Sequence, residues 1–263
     1  MNEGFLLAID VGNTNTVFAL YRDRELRGQW RVSTVRERTS DEYAAALIQL
    51  MQLKGFAPDE VEGAVIASVV PQTLTPLKSM CRDLFRCSPR VVMEDLGVQI
   101  PIALDHPREI GADRLVNAVA AHLRYQGALI IIDFGTATTF DVVDADGTYC
   151  GGAIAAGINL SLEALHRAAA QLPRIAVARP PRVIGGSTLA AMQSGVFWGY
   201  IGVIEGLVAR MKVEFGAPMK VIATGGLAGL FAGATDVIED VDHDLTMAGL
   251  VELFHQDHPM ASN

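Results

Sequence analysis

The sequence predicts an α/β protein built as two related halves, and three observations predict it. One motif occurs twice: Asp10-Val11-Gly12-Asn13-Thr14-Asn15-Thr16-Val17 near the start, and Asp133-Phe134-Gly135-Thr136-Ala137-Thr138-Thr139 in the middle. Each copy follows an apolar run (Phe5 to Ile9; Ala128 to Ile132) and precedes another, so each reads as a strand, a tight turn and a second strand. Beyond each pair comes a polar turn (Arg22 to Glu25; Asp144 to Gly147) and a third β-type run, then a helical pattern. The chain has 263 residues and is 50% hydrophobic, enough to bury a sizeable core. Length admits one large domain or two small ones; the repeat favours two, 1–125 and 126–263.

Taken in order, residues 5–10, 16–21 and 26–33 form a β-meander. Asp41 to Lys54 is helical, with Ala44, Leu47, Ile48 and Met51 on one face and Gly55 as the stop. Ala64 to Val70 is a strand, Pro71 and Thr73 open a helix through about Leu84, and Val91 to Met93 is a short strand. Residues 95–110 form an extended loop with Pro101 and Pro107. A helix begins near Gly111, carries Leu115, Val116, Val119, Ala120 and Leu123 as its apolar stripe, and ends at Gly127. The second half repeats the order with strands at 128–133, 138–143 and 148–154 and a helix from about Asn159. A proline-containing loop (Pro173, Pro180, Pro181), a long helix from Thr188 to Val213, a strand at 220–224, the short helical piece Ala228 to Phe231 and a helix over 245–255 follow. The tail from His258 to Asn263 is expected to be disordered.

The spacing within the repeated turn carries chemistry. A carboxylate at a strand end can hold Mg2+ or another cation through oxygen and water ligands. The glycine two residues on lets the backbone approach a phosphate, and Thr or Asn side chains with nearby N–H groups supply donors to phosphate oxygens. A third element, Thr224-Gly225-Gly226, sits at a strand-to-helix junction, where a glycine pair leaves backbone open to a ligand and Thr224 adds a donor.

The formal net charge of -9 argues against general nucleic-acid binding, so an anionic ligand needs a local metal or a donor-rich pocket. The arginines between Arg22 and Arg38 alternate with Asp23, Glu25 and Glu37 and read as a solvated mixed-charge hairpin. Cys81, Cys87 and Cys150 are an odd set without a C-x-x-C pair, as in a reduced cytoplasmic protein. The first apolar run is too short for a signal segment, and no stretch reaches the roughly 20 apolar residues of a membrane span. Met192 and Trp198 read as packing residues of an apolar helix, and His106 as a loop residue neutral to function.

Phosphoryl transfer also needs a group to accept the proton of the attacking hydroxyl. The candidate lies in Gly111-Ala112-Asp113-Arg114, where an acid in the first turn of a helix stands beside an arginine able to hold an anionic substrate group. Two phosphate turns and a late Gly-Gly turn resemble the acetate and sugar kinase, chaperone ATPase and actin superfamily. That resemblance implies two ribonuclease-H-like halves with mixed five-stranded sheets, in an actin-like ATPase fold with a nucleotide in the interdomain cleft. The full set (the Asp10 turn, Gly111 to Arg114, the Asp133 turn and Thr188 to Gly195) is similar to type III pantothenate kinase from about residue 5 to 255.

What this resemblance implies is specific. Asp10, Val11, Gly12, Asn13, Thr14, Asn15, Thr16 and Val17 form the first ATP-phosphate turn, and Thr136 also touches ATP phosphates. Gly111, Ala112, Asp113, Arg114 and Thr188 contact pantothenate, with Asp113 as proton acceptor from its primary hydroxyl. Asp133 binds a monovalent cation, K+ or NH4+; Mg2+ accompanies ATP. The enzyme is a cytoplasmic homodimer making 4'-phosphopantothenate for coenzyme A biosynthesis, without nucleic-acid or membrane partners. Two departures stand out. The family's Tyr-x-Asn-Pro loop reads Leu104-Asp105-His106-Pro107 here, and the Pro that usually precedes Gly-Ile-Asn-Leu-Ser is Ala156, ahead of Gly157. The first leaves open a kinase for another small hydroxylated acid; a non-catalytic nucleotide-binding regulator is the reading from a different class.

Overall fold

A computed structural model describes residues 4–97, 100–168 and 175–257 of the chain. Its elements in order are β1 (Phe5–Val11), β2 (Asn15–Arg22), β3 (Glu25–Ser33), α1 (Ser40–Gln52), β4 (Val61–Ser68), α2 (Leu74–Phe85), β5 (Arg90–Val91), α3 (Ala112–Arg124), β6 (Ala128–Phe134), β7 (Ala137–Val143), β8 (Tyr149–Ala156), α4 (Ile158–Ala168), α5 (Thr188–Phe215), β9 (Met219–Gly225), α6 (Ala228–Ala232), β10 (Asp240–Val241) and α7 (Leu245–Asp257). Every strand and helix expected from periodicity is present among the described residues. β10 was not anticipated, since two residues carry no periodicity. The expected strand through Met93 stops at Val91, and Met93 itself has a left-handed φ of 71°. The expected disorder of the tail and the position of Pro173 lie outside the described residues.

The chain forms two compact units that interleave along the sequence. Unit 1 takes Met1–Gln99, Arg108–Ala120 and Leu245–Asn263; unit 2 takes Ile100–Pro107 and Ala121–Asp244. Within unit 1 one sheet runs in the order β3-β2-β1-β4-β5. β1 pairs antiparallel with β2 and parallel with β4. Leu7, Ile9, Phe18, Leu20 and Ile66 bury one sheet face against Tyr43, Leu47 and Met51 of α1 and Leu77, Met80 and Cys81 of α2. At roughly 1.5–3 kcal/mol for each large apolar side chain removed from water, this layer dominates the stability of the unit. α1 begins at a capping box: Thr39 Oγ1 accepts from Glu42 N–H at 3.3 Å and Glu42 Oε2 accepts from Thr39 N–H at 2.8 Å. The Thr39 N–H, with the Thr39 hydroxyl donating to the same Oε2 at 3.0 Å, holds the Glu42 carboxyl below its ordinary pKa.

Unit 2 carries a sheet of order β10-β9-β6-β7-β8. β6 pairs antiparallel with β7 and parallel with β9, the same arrangement as β1 with β2 and β4. Its core stacks Phe134, Phe197 and Phe231, with Phe134–Phe231 centroids 5.1 Å apart and Phe197–Phe231 centroids 5.6 Å apart. Trp198 meets Phe197 edge-on at 5.2 Å, in keeping with a packing role.

Candidate active site

The first repeated turn closes β1 onto β2. The pairing runs to Val11↔Thr16, which leaves Gly12 to Asn15 as the loop. Gly12 N–H donates to Asn15 O at 3.0 Å, and Thr34, just past β3, braces the loop from the side. Thr34 N–H donates to Thr14 O at 2.9 Å, its hydroxyl donates to Gly12 O at 2.8 Å, and the same hydroxyl lies 2.9 Å from Thr16 Oγ1. Asn13, Thr14 and Asn15 are exposed, Asp10 is half-buried, and Val11, Thr16 and Val17 are buried. The loop therefore presents polar side chains outward on a backbone fixed from below. Of the eight residues assigned to this turn, the exposed ones and Asp10 can face a ligand; Val11, Thr16 and Val17 support them.

The acid of the Gly111–Arg114 segment is held in the same unit. Asp113 stands in the first turn of α3, half-buried, with Oδ1 accepting from Arg114 N–H at 2.8 Å. Burial pushes its carboxyl above the ordinary value, against the opposing pull of that N–H and of the Arg114 charge. A side chain at Gly111 would push the Asp113 carboxylate aside, because an added Cβ would stand 2.5 Å from Asp113 Oδ1. The same Cβ would lie 3.7 Å from Val69, whose N–H donates to Val11 O at 3.1 Å. Gly111 and the end of β1 thus share Val69 as a neighbour, so unit 1 brings the Asp10 strand and the Asp113 segment together.

The second turn differs in how it is held. Pairing runs to Phe134↔Thr138, a loop of three residues, and Gly135 N–H donates to Ala137 O at 3.1 Å. Gly157 N–H donates to Thr136 O at 3.1 Å, and a side chain on Gly157 would overlap that carbonyl. Gly225, at φ 89°, packs beside Asp133: its missing Cβ would stand 2.6 Å from Asp133 Oδ1 and 2.7 Å from the Phe134 backbone. Thr224 pairs in register with Asp133 and is buried, so it lies beside that carboxylate within the sheet and does not offer an outward donor as the sequence suggested. Within the glycine pair, Gly226 alone is open, with nothing near its would-be Cβ. Gly135 and Thr136 are exposed.

Thr188 is the exposed first residue of α5, after the cap Ser187, whose Oγ accepts from Ala190 N–H at 3.2 Å. Tyr200, three turns further along α5, hydrogen-bonds Thr138 at the start of β7 and ties the helix to the second turn. Leu104 is half-buried over β8, where its Cδ2 would meet a Cβ on Gly151 at 3.2 Å. Ahead of it, Ala103 N–H donates to Tyr149 O at 2.9 Å and Tyr149 N–H to Pro101 O at 2.8 Å, so the loop before Leu104 is an added edge of the sheet. His106 is exposed. Sequence reasoning missed Thr34 and Tyr200, and saw Gly157 only as part of a loop whose stiffness changes.

Among the described residues no group of three or more His, Cys, Asp or Glu side chains is placed to hold a metal ion. A cation at either turn would therefore take one carboxylate and complete its shell from backbone, water or phosphate oxygens.

Two units with the same sheet order and paired strand-end turns define a two-lobed, actin-like ATPase fold of the kind found in sugar kinases. The solved inorganic polyphosphate/ATP-glucomannokinase of Arthrobacter sp. strain KM shares that fold, with a TM-score of 0.51 at 15% identity over 96% of this chain and 99% of that one. Within this class the chain belongs to the type III pantothenate kinase family, whose model matches residues 6–210. It is 62% identical to a type III pantothenate kinase of Paramagnetospirillum magneticum over 94% of this chain and 96% of the relative. It is 58% identical to one of Rhodospirillum rubrum over 97% and 99%.

Proposed function

We propose that the protein transfers the γ-phosphoryl group of ATP to the primary hydroxyl of pantothenate, giving 4'-phosphopantothenate and ADP at the entry to coenzyme A biosynthesis. The observation that carries this reading is the half-buried Asp113 beside Arg114, in the same unit as the Asp10 turn. Family membership supplies the substrate. The pantothenate hydroxyl oxygen attacks phosphorus while the bond to the bridging oxygen of ADP breaks, and the hydroxyl proton passes to Asp113. A carboxyl whose pKa is raised by burial suits that task, because it holds the proton better than an exposed acid. The Arg114 guanidinium faces the pantothenate carboxylate, and Gly111 and Ala112 let substrate approach the start of α3. Thr188 contributes a hydroxyl to the same substrate.

Donors of the Asp10–Val17 turn and Thr136 hold the ATP phosphates in place, so that charge developing on the transferred group meets a fixed set of dipoles. Asp10 holds Mg2+, which neutralises phosphate charge when bound, and Asp133 holds K+ or NH4+. The protein acts as a cytoplasmic homodimer; no helix among the described residues is long and apolar enough to cross a membrane.

Purified protein incubated with ATP and pantothenate in potassium buffer, read by mass spectrometry, is expected to form phosphopantothenate. Asp113→Asn is expected to lower turnover by roughly 10²–10⁴-fold, and undiminished turnover in that variant would remove Asp113 from the mechanism. Equal rates in sodium and potassium would remove the monovalent ion from Asp133.

A further inference from the structure

α7 comes from the end of the chain, beyond residue 210 where the family match stops, yet it belongs to unit 1. It touches two things that the proposed reaction needs held apart by a fixed distance. On one side it packs against β1 and β4, the strands behind the Asp10 turn. There Phe254 Cζ lies 3.1 Å from where a Cβ on Gly63 would stand, and Glu252 takes Arg24 at 2.7 and 3.2 Å. His255 Nε2 sits 3.2 Å from Asp23 O at the β2–β3 turn.

On the other side α7 meets α3. Gly249 presses backbone to backbone: a Cβ there would stand 2.6 Å from Val116 O, 2.7 Å from Val116 Cγ1 and 3.0 Å from Ala120 Cβ. One turn away, Thr246 Oγ1 donates to Oδ1 of the fully buried Asn117 at 2.7 Å. Asn117 follows Asp113 by four residues, so the two share a face of α3 and move together.

We infer that α7 is a strut that positions the proton acceptor: Thr246 and Gly249 fix α3, and with it Asp113, relative to the strand that carries Asp10. Thr246 is thus a positioning residue that acts on turnover through Asp113. The inference rests on Asp113 being the acceptor. A reacting pair misplaced by about 1 Å loses up to about 10²-fold in rate, so loosening α3 by one hydrogen bond lowers kcat; Arg114 rides on the same helix, so pantothenate KM rises with it, while the Asp10 turn on β1 keeps its affinity for ATP. Thr246→Val keeps the shape and removes the donor; Thr246→Ser keeps the donor.

The test is steady-state kinetics of the full-length protein with ATP and pantothenate for Thr246→Val, Thr246→Ser, Asp113→Asn and the double variant Asp113→Asn with Thr246→Val. Thr246→Val is expected to lower kcat roughly tenfold, with pantothenate KM rising, ATP KM within about twofold and Thr246→Ser restoring most of the loss. In the Asp113→Asn background the valine is expected to have no further effect on kcat, because its target is already gone. Wild-type kcat in Thr246→Val, beside a disabled Asp113→Asn, overturns the strut and leaves the acceptor standing. An equal loss in both backgrounds also overturns it, since that is a structural effect independent of the acceptor. Full turnover in Asp113→Asn removes the acceptor and the strut together. Should Thr246→Val fail to fold, Asn117→Ser interrogates the same bond from α3.

Discussion

The two halves share one sheet order and one motif, yet they brace their strand-end turns by different means. In unit 1 the loop from Gly12 to Asn15 is held by a side chain, the Thr34 hydroxyl, together with two backbone bonds. In unit 2 the loop from Gly135 to Ala137 is held by close approach of backbone, at Gly157 and Gly225. A hydroxyl brace can be weakened in steps, one bond at a time. A glycine brace fails all at once, since the smallest side chain displaces the turn. The comparison teaches that the same motif can be adjustable in one half and fixed in the other.

Substituting the glycine brace is the strongest way to break that contrast. Gly157→Ala forces the Thr136 carbonyl to move, and kcat/KM for ATP is expected to fall about 10²-fold with a stability loss of about 1–3 kcal/mol, measured by kinetics and urea denaturation. An alanine variant with unchanged kinetics would show that the second turn is as adjustable as the first. Thr34→Val is the matching experiment in unit 1. It removes one donor to Gly12 O, and a cost of about 1 kcal/mol is expected, with a loss in kcat/KM of only a few-fold.

The smallest effect concerns pH. Because burial raises the Asp113 carboxyl, the native state binds that proton more tightly than the unfolded chain does. Stability from this group is therefore complete at low pH and lost as pH rises from about 4, the ordinary carboxylate value, through the raised one. Asp113→Asn removes the effect. Its urea midpoint is expected to gain on the wild type as pH rises through that window, while the acid limb of wild-type kcat lies above about 4. A midpoint difference that does not change with pH would show that burial at α3 exerts no such pull.

Much of this was legible in the sequence because the signals are local. The repeated turn announced both strand-end loops, apolar periodicity placed the strands and helices, and an acid beside an arginine marked the start of α3. What was not legible depends on residues far apart in the chain. Thr34 lies in a stretch read as a charged hairpin, and nothing in its neighbours shows that its hydroxyl reaches Gly12, 22 residues away. Thr224 read as an outward donor because a strand end looks open until its parallel partner, β6, is known. Membership of α7 in unit 1 is a tertiary fact, set by a glycine and a threonine that look ordinary in a helix of apolar residues.

The return of α7 has a consequence for how the chain is made. Unit 2 draws almost all its residues from one continuous stretch, Ala121–Asp244, and its pairings are complete once that stretch has left the ribosome. Unit 1 starts ahead of unit 2, but Arg24 waits for Glu252, 228 residues later, and Asn117 waits for Thr246, 129 residues later. Contacts of such separation close last and slowly. The unit that starts earlier in the sequence is therefore the one completed later, and the Asp113 helix gains its support from α7 only after the whole of unit 2 has been made.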